Sequence, residues 1–447
     1  MRGTASHDRL VLAGAALSFC AHLAWLPRHL EDIDSFNFAL GLRDYDIAAH
    51  QPHPPGYPVF TVLARGVLAL VSPWVSDAAT QAAVALAILA GGAGALAVIA
   101  LHAVLRLVDN DTPYAVDRES PAVHERAPAM PVLVAALTAV TPLFWLTASR
   151  PLSDMPGLAG ALGCQWLLLR AARAGASVRD ALVAAVACGA GVGLRSQVTW
   201  LVVPLLVWVL WQVWRRTGIR TAFGVGAAAL AGVLAWAVPM VAITGGATAY
   251  RVALASQAGE DFEGVPMLVL QPGLRRHAAA LVDTFVWPWG WWPVAAVMLG
   301  LALIGLVGLR GRRRLTTWLA LGFGPYLVYH VLLQETETTR YALPLVPPVA
   351  TLIVLACRTW AGRLAVPLAT AACIAALAVS VQAHRQYLGT GATISEVLAA
   401  MDAQARAARH RRAPVAATRR LALTRRRGAR WHAPADRSRG RRHVAGR

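Results

Sequence analysis

An all-α, polytopic transmembrane helical bundle is the fold this sequence predicts, and three observations predict it. The chain is 57% hydrophobic and only 15% charged. Its apolar stretches recur too often and run too long for soluble cores, since about 20 such residues cross the hydrocarbon of a bilayer. Its arginines collect in the short segments between those stretches, as the positive-inside tendency would place them.

Composition also limits the function classes. A formal net charge of +19 would point to nucleic acid in a soluble chain, but every one of the 42 basic residues here is Arg, in a background rich in Ala and Gly. That bias reflects GC-rich coding, so nucleic acid is not an expected partner. The five cysteines, Cys20, Cys164, Cys188, Cys357 and Cys373, lie in or beside apolar segments without CxxC spacing, and they read as small hydrophobes.

Leu10 to Pro27 is the first expected span. It follows a short Arg-bearing N-terminus and lacks a small-residue cleavage site, so it reads as retained, running from the cytoplasm outward. Residues 28–77 then form the first outer loop. Within it Tyr57 to Trp74 is apolar but carries Arg65 and is bounded by Pro58 and Pro73. Counted as a span, it would turn the Arg-bearing clusters at 106–126, 170–179, 215–220, 310–314 and 358–363 to the outside. Counted as an interfacial helix, it leaves most of them cytoplasmic, and that reading is preferred.

The remaining spans are expected at roughly 78–107, 130–147, 157–170, 180–195, 200–214, 221–243, 291–309, 315–334, 341–357 and 364–381, about eleven in all. Outer loops then fall at 148–156, about 195–199, 244–290 and 335–340. The 244–290 loop carries Glu260, Asp261 and Glu263, and a run from Trp287 to Pro293 whose tryptophans mark the membrane interface. Residues 1–383 therefore read as one transmembrane module. Residues 384–447, dominated by Arg, Ala, Gly, Pro and His, read as a disordered tail with no assigned function.

One polar stretch stands apart from this apolar background. From Glu31 to Pro58 the chain holds Glu31, Asp32, Asp34, Asp44, Asp46, His50 and His53. A carboxylate at the outer mouth of a membrane protein can act as a general base, taking the proton of an acceptor hydroxyl while a sugar's anomeric carbon loses its phosphate. The leaving phosphate already carries charge, so it needs cations or amide donors more than a general acid.

Asp34-Ser35-Phe36-Asn37-Phe38, followed by an Asp-bearing linker and His53-Pro54-Pro55-Gly56, resembles the first outer loop of GT-C superfamily glycosyltransferases, notably protein O-mannosyltransferases and lipid A aminoarabinose transferases. The resemblance implies Asp34 as catalytic base. It places Ser35 where those families carry Glu, so that any role of the Glu falls to Glu31 or Asp32. Ser149-Arg150-Pro151-Leu152-Ser153-Asp154 matches their short second outer loop, with Asp154 as a further acid, and Arg340-Tyr341 followed by Pro344 matches a motif near a late span. The implied activity is inverting transfer of a sugar from a polyprenyl-phosphate-linked donor on the extracytoplasmic side of a plasma or inner membrane.

Each candidate has a plainer alternative. Asp34 could cap the helix that begins near Phe36, Asp154 could cap the next span, and Asp32 and Glu31 could be solvated loop charges. Arg150 and Arg195 are costly near hydrocarbon unless they snorkel or face a cavity, and they would suit a phosphate clamp together with Arg340, Tyr341 and His53. Arg340 could equally pair locally with Glu335 or Glu337. Glu31, Tyr57 and Gln197 are candidates for shaping the acceptor side. No cofactor is required by anything in the sequence, although the acids leave room for a divalent cation. A transporter or lipid-sugar flippase is the rival from another class, but it would favour mid-span acids and repeated halves, neither of which is seen. The sugar and the acceptor, whether protein, lipid or glycan, are not encoded in any feature read here.

Overall fold

The computed structural model describes residues 2–109, 129–264 and 267–388. The Arg-rich tail beyond 388, the end of the 106–126 cluster and the side chains of Asp261 and Glu263 lie outside the described residues. The described residues form helices joined by turns and short loops, with no β-strand among them and one isolated bridge between Asp46 and Gln51.

The first helix, α1 (Arg2–Ala24), leads into the polar loop, which folds as α2 (Ile33–Arg43), a short 3-10 turn (Ile47–Ala49) and α3 (Pro58–Val71). At 14 residues α3 is about 21 Å long, too short to cross some 30 Å of hydrocarbon, which suits the interfacial reading. Its Arg65 turns inward and donates to the carbonyls of Gly41 and Leu42, two of the unpaired acceptors at the end of α2.

Beyond the loop, α4 (Ala78–Val108) is followed by α5 (Ala129–Val140) and α6 (Pro142–Ser149), bent by 61° where Pro142 interrupts the helix. Then come α7 (Asp154–Ala171), α8 (Val178–Val192), α9 (Val198–Thr217) and α10 (Ile219–Ile243). The second large loop forms α11 (Ala247–Gly264) and α12 (Leu274–Phe285), and a 102° bend at the Trp-rich run leads to α13 (Trp292–Val307). Trp287, Trp291 and Trp292 are exposed at that bend, as interface residues would be. The chain closes with α14 (Arg313–Leu333), a 3-10 turn (Thr339–Leu345), α15 (Val346–Trp360) and α16 (Gly362–Leu388).

A helix stands at each of the eleven expected positions. By length and composition five described helices could cross a membrane, or up to seven if each bent pair is one span, so the count of eleven is not established. The helices that fall short carry polar ends or polar faces. On α7, Asp154 and Gln165 are buried against other helices and need no apolar surroundings.

Packing depends on close helix contact. A Cβ on Gly189 of α8 would meet the Ala229 carbonyl of α10 at 2.1 Å, and one on Gly232 would meet the Val186 carbonyl at 2.4 Å. Small residues at these crossings let the backbones approach, which is how apolar helices associate where water supplies no drive. One buried polar hub ties three helices together: Gln165 accepts from Trp318 Nε1 at 2.9 Å and donates to the carbonyls of Leu201 and Gly322. Farther along, Asp109 at the end of α4 pairs with Arg312 at 3.1 Å and Arg358 at 2.9 Å, holding the start of α14 and the last turn of α15.

Gly305 of α13 is the tightest such crossing, 2.0 Å from the Leu352 carbonyl for an added Cβ. Gly305→Val should lower the detergent melting temperature, by an amount equivalent to about 1–3 kcal/mol or more, because backbone cannot step aside as a side chain can.

Candidate active site

The site begins with a capping box. Asp32 is the N-cap of α2, its Oδ1 accepting from the Ser35 amide at 2.9 Å, while Ser35 Oγ accepts from the amides of Glu31 and Asp32. This satisfies the orphan donors at the helix start and turns Asp34, in the first turn, toward the rest of the chain. Ser35 is fully buried. The residue that replaces the expected acid therefore builds the loop, and the capping role considered for Asp34 belongs to Asp32.

Asp34 forms a short ion pair with Arg340 Nη2, bringing the 3-10 turn after α14 onto the first loop. Arg340 Nη1 lies 3.5 Å from Asp154 and 3.8 Å from Asp32. Glu335 and Glu337 are not its partners; Glu335 instead accepts from the Thr338 hydroxyl at 2.7 Å. Asp154 opens α7 and pairs with Arg195 Nη2 at 3.1 Å, and Arg195 Nη1 donates to Ser153 Oγ at 2.8 Å. Both guanidinium groups sit over the Tyr341 ring, at 5.5 Å for Arg195 and 5.1 Å for Arg340.

His53 completes the near wall, with Nε2 3.7 Å from Asp34 and 3.0 Å from the Tyr57 hydroxyl. Phe38 packs on His53, Tyr57 and Phe60 at ring distances of about 5 Å, so an apolar cluster sets the imidazole in place. Gly56, at φ +106°, makes the turn between His53 and α3, and a Cβ there would strike Ile47 at 2.5 Å.

Arg150 lies on the outer flank, paired with Glu31 and, at 3.2 Å, with Asp32. Asp32, which also lies 3.8 Å from Arg340, joins Arg150 to the charged cluster. Gln197 sits at the start of α9, its side-chain oxygen accepting from the Ser196 hydroxyl at 3.4 Å. Asp32, Asp34, His53, Tyr57, Asp154, Arg195, Arg340 and Tyr341 are linked in one network of ion pairs, hydrogen bonds and ring contacts, whereas Glu31 meets it through Arg150 and the Ser35 cap. Two contributors were missed. Ser153 could have been noticed as the neighbour of Asp154, but Tyr326, which donates to the Tyr341 carbonyl at 2.6 Å, is a lone mid-helix tyrosine with no sequence signal.

Electrostatics follow from burial and pairing. Burial pushes the Asp34 carboxyl up, but Arg340 and then His53 outweigh it and hold the group below the usual carboxylate range. Burial lowers the His53 pKa, and Asp34 offsets this only in part, leaving a neutral imidazole at pH 7. Three buried atoms here make no hydrogen bond: Arg340 Nη1, Asp154 Oδ2 and His53 Nδ1. Arg340 Nη1 and Asp154 Oδ2 face each other at 3.5 Å, paired in charge but beyond good hydrogen-bonding distance. Among the described residues no group of three or more His, Cys, Asp or Glu is arranged to hold a metal ion.

Two outcomes follow from these pairs. Arg195→Met leaves Asp154, whose side chain is 4% exposed, without its nearest cation and should destabilise the protein by about 3–5 kcal/mol, with much of the loss recovered in the double variant with Asp154→Leu. Because the folded pKa of Asp34 lies below the roughly 3.9 of an unfolded aspartate, its pair contributes fully above that value and is lost as pH falls through the lower one. Melting temperature measured against pH should therefore drop more steeply below about pH 4 in the wild type than in Asp34→Asn.

Comparison with known proteins gives a family match over part of the chain and a likeness to solved structures. Residues 47–217 match the family described as the protein O-mannosyl-transferase TMEM260 N-terminal domain. No curated protein matches the chain. Among solved structures, ArnT from Cupriavidus metallidurans bound to undecaprenyl phosphate is similar at 15% identity and a TM-score of 0.46, over 81% of this chain and 63% of that one. Its apo form gives 15% identity, the same coverage and a TM-score of 0.45. An Archaeoglobus fulgidus oligosaccharyltransferase in complex with Zn and sulfate gives 13% and 0.47, over 84% of this chain and 53% of that one. The chain thus spans less than two thirds of each of these proteins. Over residues 47–217 the chain is thus similar to the protein O-mannosyl-transferase family, one of the two kinds of enzyme that its first-loop motif resembles.

Proposed function

We propose that this protein is an integral-membrane, GT-C-type glycosyltransferase that moves a sugar from a polyprenyl-phosphate-linked donor to an acceptor hydroxyl on the extracytoplasmic side. One observation carries the reading: Asp34, Asp154, Arg195 and Arg340, drawn from four separate segments, share one enclosure in which a base and two guanidinium groups face each other.

Asp34 is the general base. The acceptor oxygen attacks the anomeric carbon from the face opposite the phosphate, its proton passes to an Asp34 carboxylate oxygen, and the bond from carbon to phosphate oxygen breaks with its electron pair on the phosphate. Configuration inverts. Arg340 and Arg195 hold the phosphate, whose oxygens match the guanidinium fork, and the Tyr341 ring lies against both groups. His53, neutral at pH 7, keeps a hydrogen-bonding nitrogen for the sugar or phosphate. Asp154 balances the arginines and orients them.

In the resting state Arg340 occupies Asp34. An incoming phosphate competes for that guanidinium, so donor binding frees the carboxylate that the reaction then uses. An apolar groove of about 610 Å³ supports a lipid-linked donor. It is lined by Leu281, Phe285, Leu303, Phe323, Leu345 and Leu352, and Leu345 ends the same 3-10 turn that carries Arg340. A chain of isoprene units would bury its surface there while its phosphate reaches the arginine.

Purified Asp34→Asn protein should insert and melt like a folded protein yet release polyprenyl phosphate from a labelled lipid-sugar at least about 100-fold more slowly, the scale of a lost general base. Full activity in that variant would remove Asp34 from its role. Movement of intact lipid-sugar across vesicles without release would favour a flippase.

A further inference from the structure

A second polar cavity lies beside the Arg340 turn and is not used by the chemistry above. It measures about 340 Å³ and is walled by α12, by the end of α14 and by the segment leading to Arg340, with Arg276, Asp283, Gln334, Thr336, Glu337 and Leu268 on its surface. That volume sits at the lower end of the roughly 300–1,000 Å³ typical of small-molecule sites. We propose that this cavity receives the terminal sugar ring of a glycan acceptor, an inference that rests on the glycosyltransferase reading.

The wall chemistry favours a sugar. Asp283 and Glu337 accept hydrogen bonds, Arg276 donates them, and Gln334 and Thr336 offer further polar groups, so a ring with hydroxyls in several directions finds partners on several sides. Leu268 supplies an apolar flank for the C–H face of the ring. The cavity is also preshaped: the Thr336 hydroxyl donates to Asp283 at 3.3 Å, joining the two walls.

Its position couples it to the reaction centre. Glu337 stands three residues before Arg340, which is ion-paired with Asp34. Gln334 is buried and accepts from Tyr326 at 3.4 Å, and the same Tyr326 hydroxyl reaches the Tyr341 carbonyl at 2.6 Å. His330 bridges Gln334 at 3.0 Å and Thr284 of α12 at 3.2 Å. A sugar seated against Gln334 and Glu337 is therefore held on the same short segment that positions the phosphate-gripping arginine.

The test is saturation-transfer NMR on the full chain in nanodiscs, with methyl glycosides of mannose, glucose, galactose and arabinose as probes and an N-acetylated Ser/Thr hexapeptide amide as the competing class. At least one glycoside should show transfer to its ring protons. The signal should fall at least fivefold in Glu337→Gln and in Asp283→Asn while persisting in Asp34→Asn. Glu337 is exposed, so its substitution tests the site without threatening the fold. Transfer that is absent, that is indifferent to both pocket substitutions, or that is confined to the peptide would overturn the proposal. Polyprenyl phosphate release from a labelled donor, measured on the same preparation, separates the two failures. A wild type that releases none sinks the transferase reading, whereas an active wild type with an unresponsive cavity sinks only the acceptor site.

Discussion

Arg340 joins two stretches of chain 306 positions apart, and the energetics of burying its charge shape everything near it. An isolated guanidinium in so apolar a bundle would be prohibitively costly, and so would Asp154 on its own. Each is tolerable because the other is present, together with Asp34 and Arg195. The cluster is thus a set of mutual obligations: the first loop, the start of α7, the α8–α9 connection and the turn before α15 must all arrive at one place. The same compensation recurs at Asp109, where two arginines secure the ends of α14 and α15 far along the chain from the loop.

The enclosure does not satisfy all of its members. Arg340 Nη1, Asp154 Oδ2 and His53 Nδ1 make no hydrogen bond, an arrangement that buried polar groups generally avoid. Stability alone would favour closing the network or replacing it with apolar side chains. A site that must exchange one partner for a ligand keeps spare capacity, and the incomplete bonding sits at the residues nearest Asp34.

Much of this was legible in the sequence because membrane proteins segregate charge. The long apolar stretches marked the helices, and the carboxylates of the first loop, Asp154, Arg195 and Arg340 stood out against them. The interfacial reading of the segment that carries Arg65 rests on the side to which it assigns the later arginine clusters. What stayed hidden depended on long-range pairing. The sequence placed Glu335 and Glu337 closest to Arg340, and only the fold shows that Asp34 and Asp154 displace them. Arg150 looked free for a ligand because Glu31 and Asp32 are more than a hundred residues away. Span boundaries were the weakest reading, since helices shielded by their neighbours can be short or polar on one face. Gln165 and Tyr326 gave no signal at all, because a satisfied buried polar group resembles any other mid-helix residue.

Arg65 carries one last implication. By holding the final carbonyls of α2 from the middle of α3, it fastens the amphipathic segment to the one bearing Asp34. The two cannot shift independently without leaving those carbonyls bare. α2 and α3 therefore behave as one unit, and any displacement of α3 is passed to Asp34 and to the ion pair that joins it to Arg340.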